Sequence, residues 1–381
     1  MGATLLLSAC GTPGGGTAQN TESQKEADTV KIGLNMELSG TVAGYGNQEK
    51  EGAELAVKEI NDAGGINGKK VELVVKDNKS DTAEAATIAT SLTTSDNVIG
   101  MVGPATSGAT KAASPNATKA KVPIITPSAT DDSITVANDK VQEYIFRTCF
   151  QDSFQGVILA NYASDNLKAE KAVIIGDVSS DYAKGLTKSF KDTFKGEIVA
   201  DEKFNAKDKD FKAILTKIKD KDFDFIYLPG YYEEAGLIIK QAREMGIEQP
   251  IIGADGFSDS KLIDIAGAEN MNNIYYTAHF SEKAPASDKV KTFIDAFKEE
   301  YGKSPSSFNA LSYDSVYMIK AALEAEKENT SDALTKGLAT LKDFDGVTGT
   351  MTMDENHNPK KPAVVIGLEK GEEKSAEVVN P

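Results

Sequence analysis

The chain has 381 residues, more than one compact core usually holds, so its length predicts two domains or two lobes. Its 58 acidic and 42 basic residues give a formal net charge of −16, and the lysines form no sustained basic block, which argues against nucleic acid as a partner. The two cysteines, Cys10 and Cys149, are far apart, and Cys10 precedes every predicted element, so we expect no structural disulfide.

A short apolar run near the N-terminus ends in Leu7 to Cys10, which read Leu-Ser-Ala-Cys. This is the lipobox pattern of bacterial lipoproteins, in which the thiol carries a lipid; the alternative is a chance cysteine in a tail. The polar stretch that follows predicts a flexible tether. We therefore expect residues 1–29 to comprise the remnant of a signal peptide, the lipobox and a tether. The folded body would then lie at the extracellular face of the bacterial cytoplasmic membrane, held only through the lipid on Cys10.

From Val30 onward, strand-like segments alternate with helix-like segments. The predicted order is a strand at 30–34, a helix around 53–60, a strand at 71–76, a helix opened by Ser80 and Asp81, a strand at 98–102, a helix to about Lys121 and a strand at 123–125. Such alternation predicts a parallel sheet covered by helices on both faces.

The same pattern then repeats along the chain. The predicted strands are 173–176, 197–204, 223–229, 251–253 and 274–277, and the helices between them are 182–194, 211–218 and 235–245. Two helices, 290–301 and 311–325, and a β-ribbon from Gly349 complete the pattern.

These elements predict an α/β protein with two doubly wound parallel-sheet lobes joined by three hinge crossovers. We assign residues 30–149 plus 280–346 to the N-terminal lobe and 150–279 plus 347–381 to the C-terminal lobe, with crossovers near 148–150, 277–280 and 345–349. A ligand cleft is expected at the carboxyl ends of the strands.

Small hydroxyl residues follow two strands of the first unit. Ser107 lies at the predicted N-cap of the helix after strand 98–102, where free backbone N–H groups favour a carboxylate. The alternative is that Ser107 only caps its own helix. Ser128 and Thr130 follow the next strand and point to the same cleft, which favours anion binding.

Aromatic and acidic residues follow strands of the second unit. Tyr182 and Tyr231 supply walls with polar tips, and Asp255 supplies a counter-charge for an ammonium group. The alternative for Asp255 is an ordinary aspartate in a glycine-rich turn. One clamp for a carboxylate and one for an ammonium is the arrangement that an α-amino acid requires.

Signatures of catalysis and of cofactor binding are not found. His279 and His357 have no metal-ligand spacing, and the sequence has neither a phosphate-binding loop nor a dinucleotide fingerprint nor a nucleophile elbow. We expect no cofactor, no metal and no enzymatic activity.

The chain resembles the type I periplasmic-binding-protein family, specifically the leucine/isoleucine/valine-binding proteins of branched-chain amino acid ABC transporters. The resemblance runs from about Val30 to Val379. The stretches that carry it are Asn61–Gly68, Gly103–Thr110, Pro127–Thr130, Phe146–Thr148 and Gly230–Tyr232.

The resemblance implies roles for individual residues. Ser107 and the Thr130 backbone resemble the carboxylate clamp, whereas the Thr130 hydroxyl, the Ser128 backbone and Asp255 resemble the ammonium clamp. Asp255 stands where some relatives carry Glu, which implies a shifted ligand or an intervening water. The remaining positions that match the pocket lining of the family are Tyr45, Ala105, Tyr182, Tyr231 and Phe308.

The resemblance also implies a function. The protein would be a monomeric solute-binding protein that closes on a free amino acid, leucine, isoleucine or valine, and delivers it to the permease subunits of an ABC transporter. A receptor of the same fold that senses an amino acid or an amide is the alternative, and an amidase or esterase is the weakest one.

Overall fold

The computed structural model describes residues 29–284 and 287–380, so the predicted lipobox and Cys10 lie outside the described residues. The strands are β1 (Thr29–Met36), β2 (Lys70–Asp77), β3 (Gly100–Val102), β4 (Ile124–Thr126), β5 (Val136–Ala137), β6 (Lys140–Val141), β7 (Ile145–Arg147), β8 (Lys171–Asp177), β9 (Glu197–Phe204), β10 (Phe225–Tyr227), β11 (Ile251–Gly253), β12 (Ile274–Ala278), β13 (Phe344–Gly346), β14 (Gly349–Met353), β15 (Pro359–Lys360), β16 (Ala363–Glu369) and β17 (Glu372–Val379). The α-helices are α1 (Ala43–Asp62), α2 (Thr82–Thr94), α3 (Ser107–Ala120), α4 (Asp152–Asp165), α5 (Asp181–Thr193), α6 (Lys212–Lys219), α7 (Tyr232–Glu244), α8 (Ser260–Ala266), α9 (Asp288–Tyr301), α10 (Ser307–Glu326) and α11 (Ser331–Ala339).

The first sheet has five parallel strands in the order β2-β1-β3-β4-β7. The chain moves outward from β1 to β2 and then in the other direction through β3 and β4, so the strand order reverses between β1 and β3. In doubly wound sheets this reversal opens a crevice at the carboxyl ends of the two strands.

The second sheet has seven strands in the order β17-β16-β12-β11-β10-β8-β9. The five strands from β12 to β9 are parallel, and β16 and β17 add an antiparallel edge. Here the strand order reverses between β8 and β10. The two sheets with their helices confirm the predicted α/β fold with two doubly wound units.

The first core joins the first sheet to helices from the C-terminal half. Ile32 and Leu34 of β1 pack with Phe293 of α9 and Ile319 of α10, all of them buried. After β12 the chain therefore contributes helices α9 and α10 to the core of the first unit.

The packing differs from the predicted boundary near residue 346. Val347, Met351 and Met353 were assigned to the C-terminal lobe, but they lie in the core of the first unit. The third crossing falls instead between β15, which pairs with β14, and β16, which belongs to the second sheet. The cause is the small antiparallel sheet β13-β14-β15, which continues the first unit before the chain crosses.

Side-chain caps define several helix starts. Asp81 accepts a hydrogen bond from the backbone N–H of Glu84 at the start of α2, as the Ser80-Asp81 signal predicts. Ser306 and Asn309 form a reciprocal capping box at the start of α10. This box fixes the start of the helix, and with it the position of Phe308 in the first turn.

Candidate functional site

The crevices of the two sheets face each other and form one site. The carboxyl ends of β1 and β3 bring Glu37 and the turn 103–107 to it, and those of β8 and β10 bring Tyr182 and Tyr231. Both walls are thus built at topological switch points, where doubly wound sheets bind their ligands.

Glu37 holds the turn between β3 and α3 in place through hydrogen bonds. This residue directly follows β1 and is fully buried. Its carboxylate accepts hydrogen bonds from the backbone N–H of Ala105 at 3.0 Å, the backbone N–H of Thr106 at 3.1 Å and the Thr106 hydroxyl at 2.8 Å. Because these two N–H groups are occupied, the free donors of the turn begin at Ser107.

Ser107 is the first residue of α3, and Thr106 is the N-cap, which corrects the prediction that Ser107 is the cap itself. The Ser107 side chain makes no capping bond; its hydroxyl oxygen accepts from the backbone N–H of Asp131 at 3.3 Å. The first N–H groups of a helix have no partner within it. Ser107 therefore presents a free N–H and a hydroxyl, and its contact with Asp131 holds the loop after β4 nearby.

Ser128 and Thr130 lie on that loop. The Ser128 hydroxyl contacts a carboxyl oxygen of Glu49 and lies 2.9 Å from the carbonyl oxygen of Ala105. Burial raises the pKa of Glu49 well above its ordinary value, and the hydrogen bond that Ser128 donates to it lowers that pKa only in part. The Thr130 hydroxyl is buried without a hydrogen-bond partner.

Asp255 lies on the opposite wall, directly after β11, and is 3% exposed. One carboxylate oxygen accepts from the Tyr182 hydroxyl at 2.7 Å and from the Gln155 side-chain amide at 3.1 Å. The other oxygen lies 3.3 Å from Nε2 of His279. Burial raises the pKa of Tyr182 well above its ordinary value, so its hydroxyl keeps the proton that it donates.

Asp152 is a second buried acid beside this wall. Burial is the main cause that raises its pKa well above the ordinary value of a carboxyl. The Thr130 hydroxyl lowers that pKa through a contact outside hydrogen-bond geometry. The site therefore contains buried carboxyls whose surroundings favour the neutral form, next to Asp255 with its three donors.

Aromatic rings close the space between the walls. Tyr182 and Tyr231 are stacked, with ring centroids 5.2 Å apart and planes within 3°. Tyr45 packs against Tyr231 at 5.8 Å and against Phe308 at 4.5 Å. These four rings, two from each unit, form an apolar surface with hydroxyl tips.

Direct hydrogen bonds connect the two walls. The Tyr45 hydroxyl of the first unit donates to the carbonyl oxygen of Gly256 at 2.6 Å and accepts from the backbone N–H of Tyr232 at 3.3 Å. The Tyr232 hydroxyl accepts from the backbone N–H of Gly44 at 3.1 Å. A Cβ atom on Gly256 would lie 3.1 Å from the hydroxyls of both Tyr45 and Tyr182, so a larger residue would crowd this contact.

A small cavity with an empty volume of about 250 Å³ lies between the walls. All the predicted binding residues except Thr130 line it, and Thr106 and Gly256 complete the lining.

Some residues of the site were missed by the sequence analysis. Glu37 had a usable signal, because it is an acidic residue directly after a buried strand. His279 follows strand β12 but was considered only as a metal ligand. Gln155 had no local signal, since its contacts join α4 to residues 100 and 122 positions away.

The sequence profile of the periplasmic binding protein family matches residues 29–373. The chain belongs to this family. Membership confirms the resemblance drawn from the motifs and the prediction of a solute-binding protein rather than an enzyme.

Individual relatives of this binding protein agree with the family assignment. The leucine-, isoleucine-, valine-, threonine- and alanine-binding protein of Pseudomonas aeruginosa is 31% identical over 337 residues, which cover 88% of each chain. A crystal structure of the branched-chain amino acid transporter substrate binding protein LivJ from Streptococcus pneumoniae, in complex with isoleucine, is 52% identical with a TM-score of 0.89, covering 93% of this chain and 100% of that one. The leucine binding protein LivK from Thermotoga maritima is 32% identical with a TM-score of 0.87, covering 92% and 99%.

The described residues, 29–284 and 287–380, contain neither a membrane-spanning helix nor a cluster of metal-binding side chains. None of the described helices is long and apolar enough to cross a bilayer. In the same part of the chain, no three histidine, cysteine or acidic side chains are grouped so as to hold a metal ion.

Proposed function

We propose that this binding protein captures a free branched-chain amino acid, leucine, isoleucine or valine, in the cavity between its two units. The observation that carries the proposal is the polarity of the cavity. A free helix N-terminus with Ser107 lies on one wall, and the Asp255 carboxylate lies on the other.

The two walls complement the two charges of a zwitterion. The ligand carboxylate would accept from the Ser107 N–H and hydroxyl at the positive end of α3. The ligand ammonium would donate to Asp255, to the Thr130 hydroxyl and to the Ser128 carbonyl oxygen. The Thr130 hydroxyl supports this assignment, because it is buried and, apart from its contact with Asp152, makes no interaction with hydrogen-bond geometry within the protein.

The remaining lining favours an aliphatic side chain. Ala105, Tyr231 and Phe308 are apolar or aromatic, and the cavity lining includes no lysine or arginine that could pair with a distal acid. The relatives named for leucine, isoleucine and valine binding support the same ligand class.

Uptake requires further steps that belong to the same proposal. The two units would act as lobes that open and close on the ligand, and the closed form would dock on the permease subunits of an ABC transporter. A lipid on Cys10 would keep the monomeric protein at the outer face of the cytoplasmic membrane. Contacts between the lobes, such as that of Tyr45 with Gly256, support a closed state with little solvent at the ligand.

Calorimetric titration tests the ligand class directly. Protein freed of ligand by unfolding and refolding is titrated with leucine, isoleucine, valine, alanine and glutamate. We expect binding of the three branched-chain amino acids, weaker binding of alanine and none of glutamate. The absence of a binding signal with all three branched-chain amino acids would refute the proposal.

A further inference from the structure

His279 is buried and contacts Asp255, the acid of the proposed ammonium site, on the side away from the cavity. It is 3% exposed, and its Nε2 atom is 3.3 Å from the Asp255 oxygen that Tyr182 and Gln155 leave free. Its other ring nitrogen, Nδ1, is buried and has no partner. His279 does not line the cavity, so its influence on a ligand must pass through Asp255.

The contact defines which ring nitrogen carries the proton. A carboxylate oxygen only accepts hydrogen bonds, so Nε2 must donate, and the neutral ring then has a bare Nδ1. Burial lowers the pKa of His279 to about 4, which supports a neutral ring near pH 7. A proton on Nδ1 would instead place an unpaired donor in the interior.

Gln155 holds the same acid from a second direction. Its amide nitrogen donates to Asp255 at 3.1 Å and to Asp152 at 3.0 Å. Its amide oxygen accepts from the backbone N–H of Asp255 at 3.2 Å and from the Thr277 hydroxyl at 2.7 Å. Gln155 therefore fixes both the side chain and the backbone of Asp255.

Both supporting residues are attached to segments that cross between the lobes. His279 follows β12 directly, where the chain leaves the second sheet, and its ring stacks on Phe150 with centroids 3.7 Å apart. Phe150 belongs to another of the three crossings, the one between β7 and α4. Thr277, which binds Gln155, is the fourth residue of β12.

We propose that His279 and Gln155 are positioning residues that hold the Asp255 carboxylate toward the ligand ammonium and tie its orientation to the two crossings at Phe150 and His279. This inference rests on the proposed amino acid binding function. It assigns His279 an indirect role, because the ring acts through Asp255 and touches no ligand.

Two substitutions separate the hydrogen bond of His279 from its ring packing. His279→Phe keeps an aromatic ring against Phe150 and removes the donor, whereas His279→Gln keeps an N–H donor and removes the ring. We expect His279→Phe to raise the Kd for isoleucine by about five- to tenfold, because the ring makes no bond to the ligand and its loss weakens binding only by letting the Asp255 carboxylate change its orientation. His279→Gln should stay within about threefold of the wild type.

A double-mutant cycle with Asp255→Asn tests whether the effect passes through Asp255. In the Asp255→Asn background, His279→Phe should change the Kd by less than about twofold. The same cycle is measured on the thermal unfolding of ligand-free protein, where the two substitutions should also be non-additive. A Kd that is unchanged by His279→Phe, an equal loss in His279→Gln, or full additivity in both cycles would overturn the inference.

Nitrogen NMR of the wild-type protein gives a test that needs no variant to fold. At pH 7 the His279 ring should carry its proton on Nε2 and none on Nδ1. A proton on Nδ1 would overturn the inference. If the wild type bound none of the branched-chain amino acids, the proposed function would fail, while the unfolding cycle and the tautomer would still report on the contact with Asp255.

Discussion

Replacing Asp255 by asparagine removes a negative charge from the site with little change in shape. The asparagine carbonyl oxygen can still accept from Tyr182 and Gln155, which now share one carboxylate oxygen. Its amide would face His279, whose neutral ring can accept a hydrogen bond if its proton moves to Nδ1. That tautomer leaves a buried N–H of His279 without a partner, so we expect Asp255→Asn to fold with a ligand-free unfolding midpoint somewhat below that of the wild type.

The main effect of Asp255→Asn should be weaker binding of the ligand. A hydrogen bond to a charged partner contributes ~1.5–3 kcal/mol, and Asp255 is 3% exposed, so solvent screening does not reduce this contribution. At ~1.4 kcal/mol per factor of ten, Asp255→Asn should raise the Kd for isoleucine by about 10- to 150-fold.

Calorimetry on ligand-stripped protein measures this change, and the shift of the unfolding midpoint by excess isoleucine should shrink in parallel. Asp264→Asn is the matched control, because it removes the same charge from an exposed position of α8 in the same lobe. A Kd for Asp255→Asn within twofold of the wild type would refute the ammonium assignment. An equal loss in both variants would attribute the effect to net charge instead.

Three further predictions concern the contact between the lobes, pH and packing. Tyr45→Phe removes the hydroxyl that bridges to Gly256, so the Kd for isoleucine should rise about 2- to 10-fold in calorimetry, while the urea midpoint of the ligand-free protein stays unchanged. A loss of unfolding free energy in the ligand-free protein as large as the loss of binding free energy would contradict this prediction. Burial lowers the pKa of His279 to about 4, so between about pH 6.5 and pH 4 this histidine is protonated in the unfolded chain and neutral in the folded one. The free energy of unfolding should therefore fall as the pH drops through this range. His279→Gln should lose up to ~1.36 kcal/mol per pH unit of that slope in urea titrations, and equal slopes would contradict the reasoning. Gly52→Ala would bring a Cβ atom to 2.0 Å from the carbonyl oxygen of Asn309, so it should lower the free energy of unfolding by about 1–3 kcal/mol, whereas Glu54→Ala on the same helix should leave it within about 0.5 kcal/mol.

The elements with regular patterns could be predicted from the sequence. Strand β9 was predicted with its observed bounds, since its flanking helices have clear apolar spacing and the turns on both sides are polar. Helix α4 was not predicted, although Ile158 and Leu159 are buried, because its apolar residues do not form one stripe. It lies between two other elements and buries more than one face, which removes the periodic signal.

The same contrast holds for the site. Ser107 and Asp255 follow predicted strands, so their place at the cleft could be inferred from topology alone. The boundary at residue 346 could not, because the pairing of β14 with β13 and β15 depends on contacts that no local pattern encodes. Gln155 lies on the unpredicted helix α4. Its role depends on contacts with Asp255 after β11 and with Thr277 of β12, which are distant in sequence.

The contacts between the lobes bear on how the ligand acts. Hydrogen bonds from Tyr45 to Gly256 and from Gln48 to Asp259, and the ion pair of Lys111 with Asp181, join residues of the protein itself and need no ligand. Each hydrogen bond contributes about 0.5–1.5 kcal/mol net, and the half-exposed ion pair contributes less. If the two units close on the ligand as proposed, these contacts would offset part of the cost of closing, and the ligand would have to supply only the remainder through its preference for the closed state. On that proposal the conformational change would reduce the affinity only slightly, and a substitution such as Tyr45→Phe would weaken binding by making that change more costly.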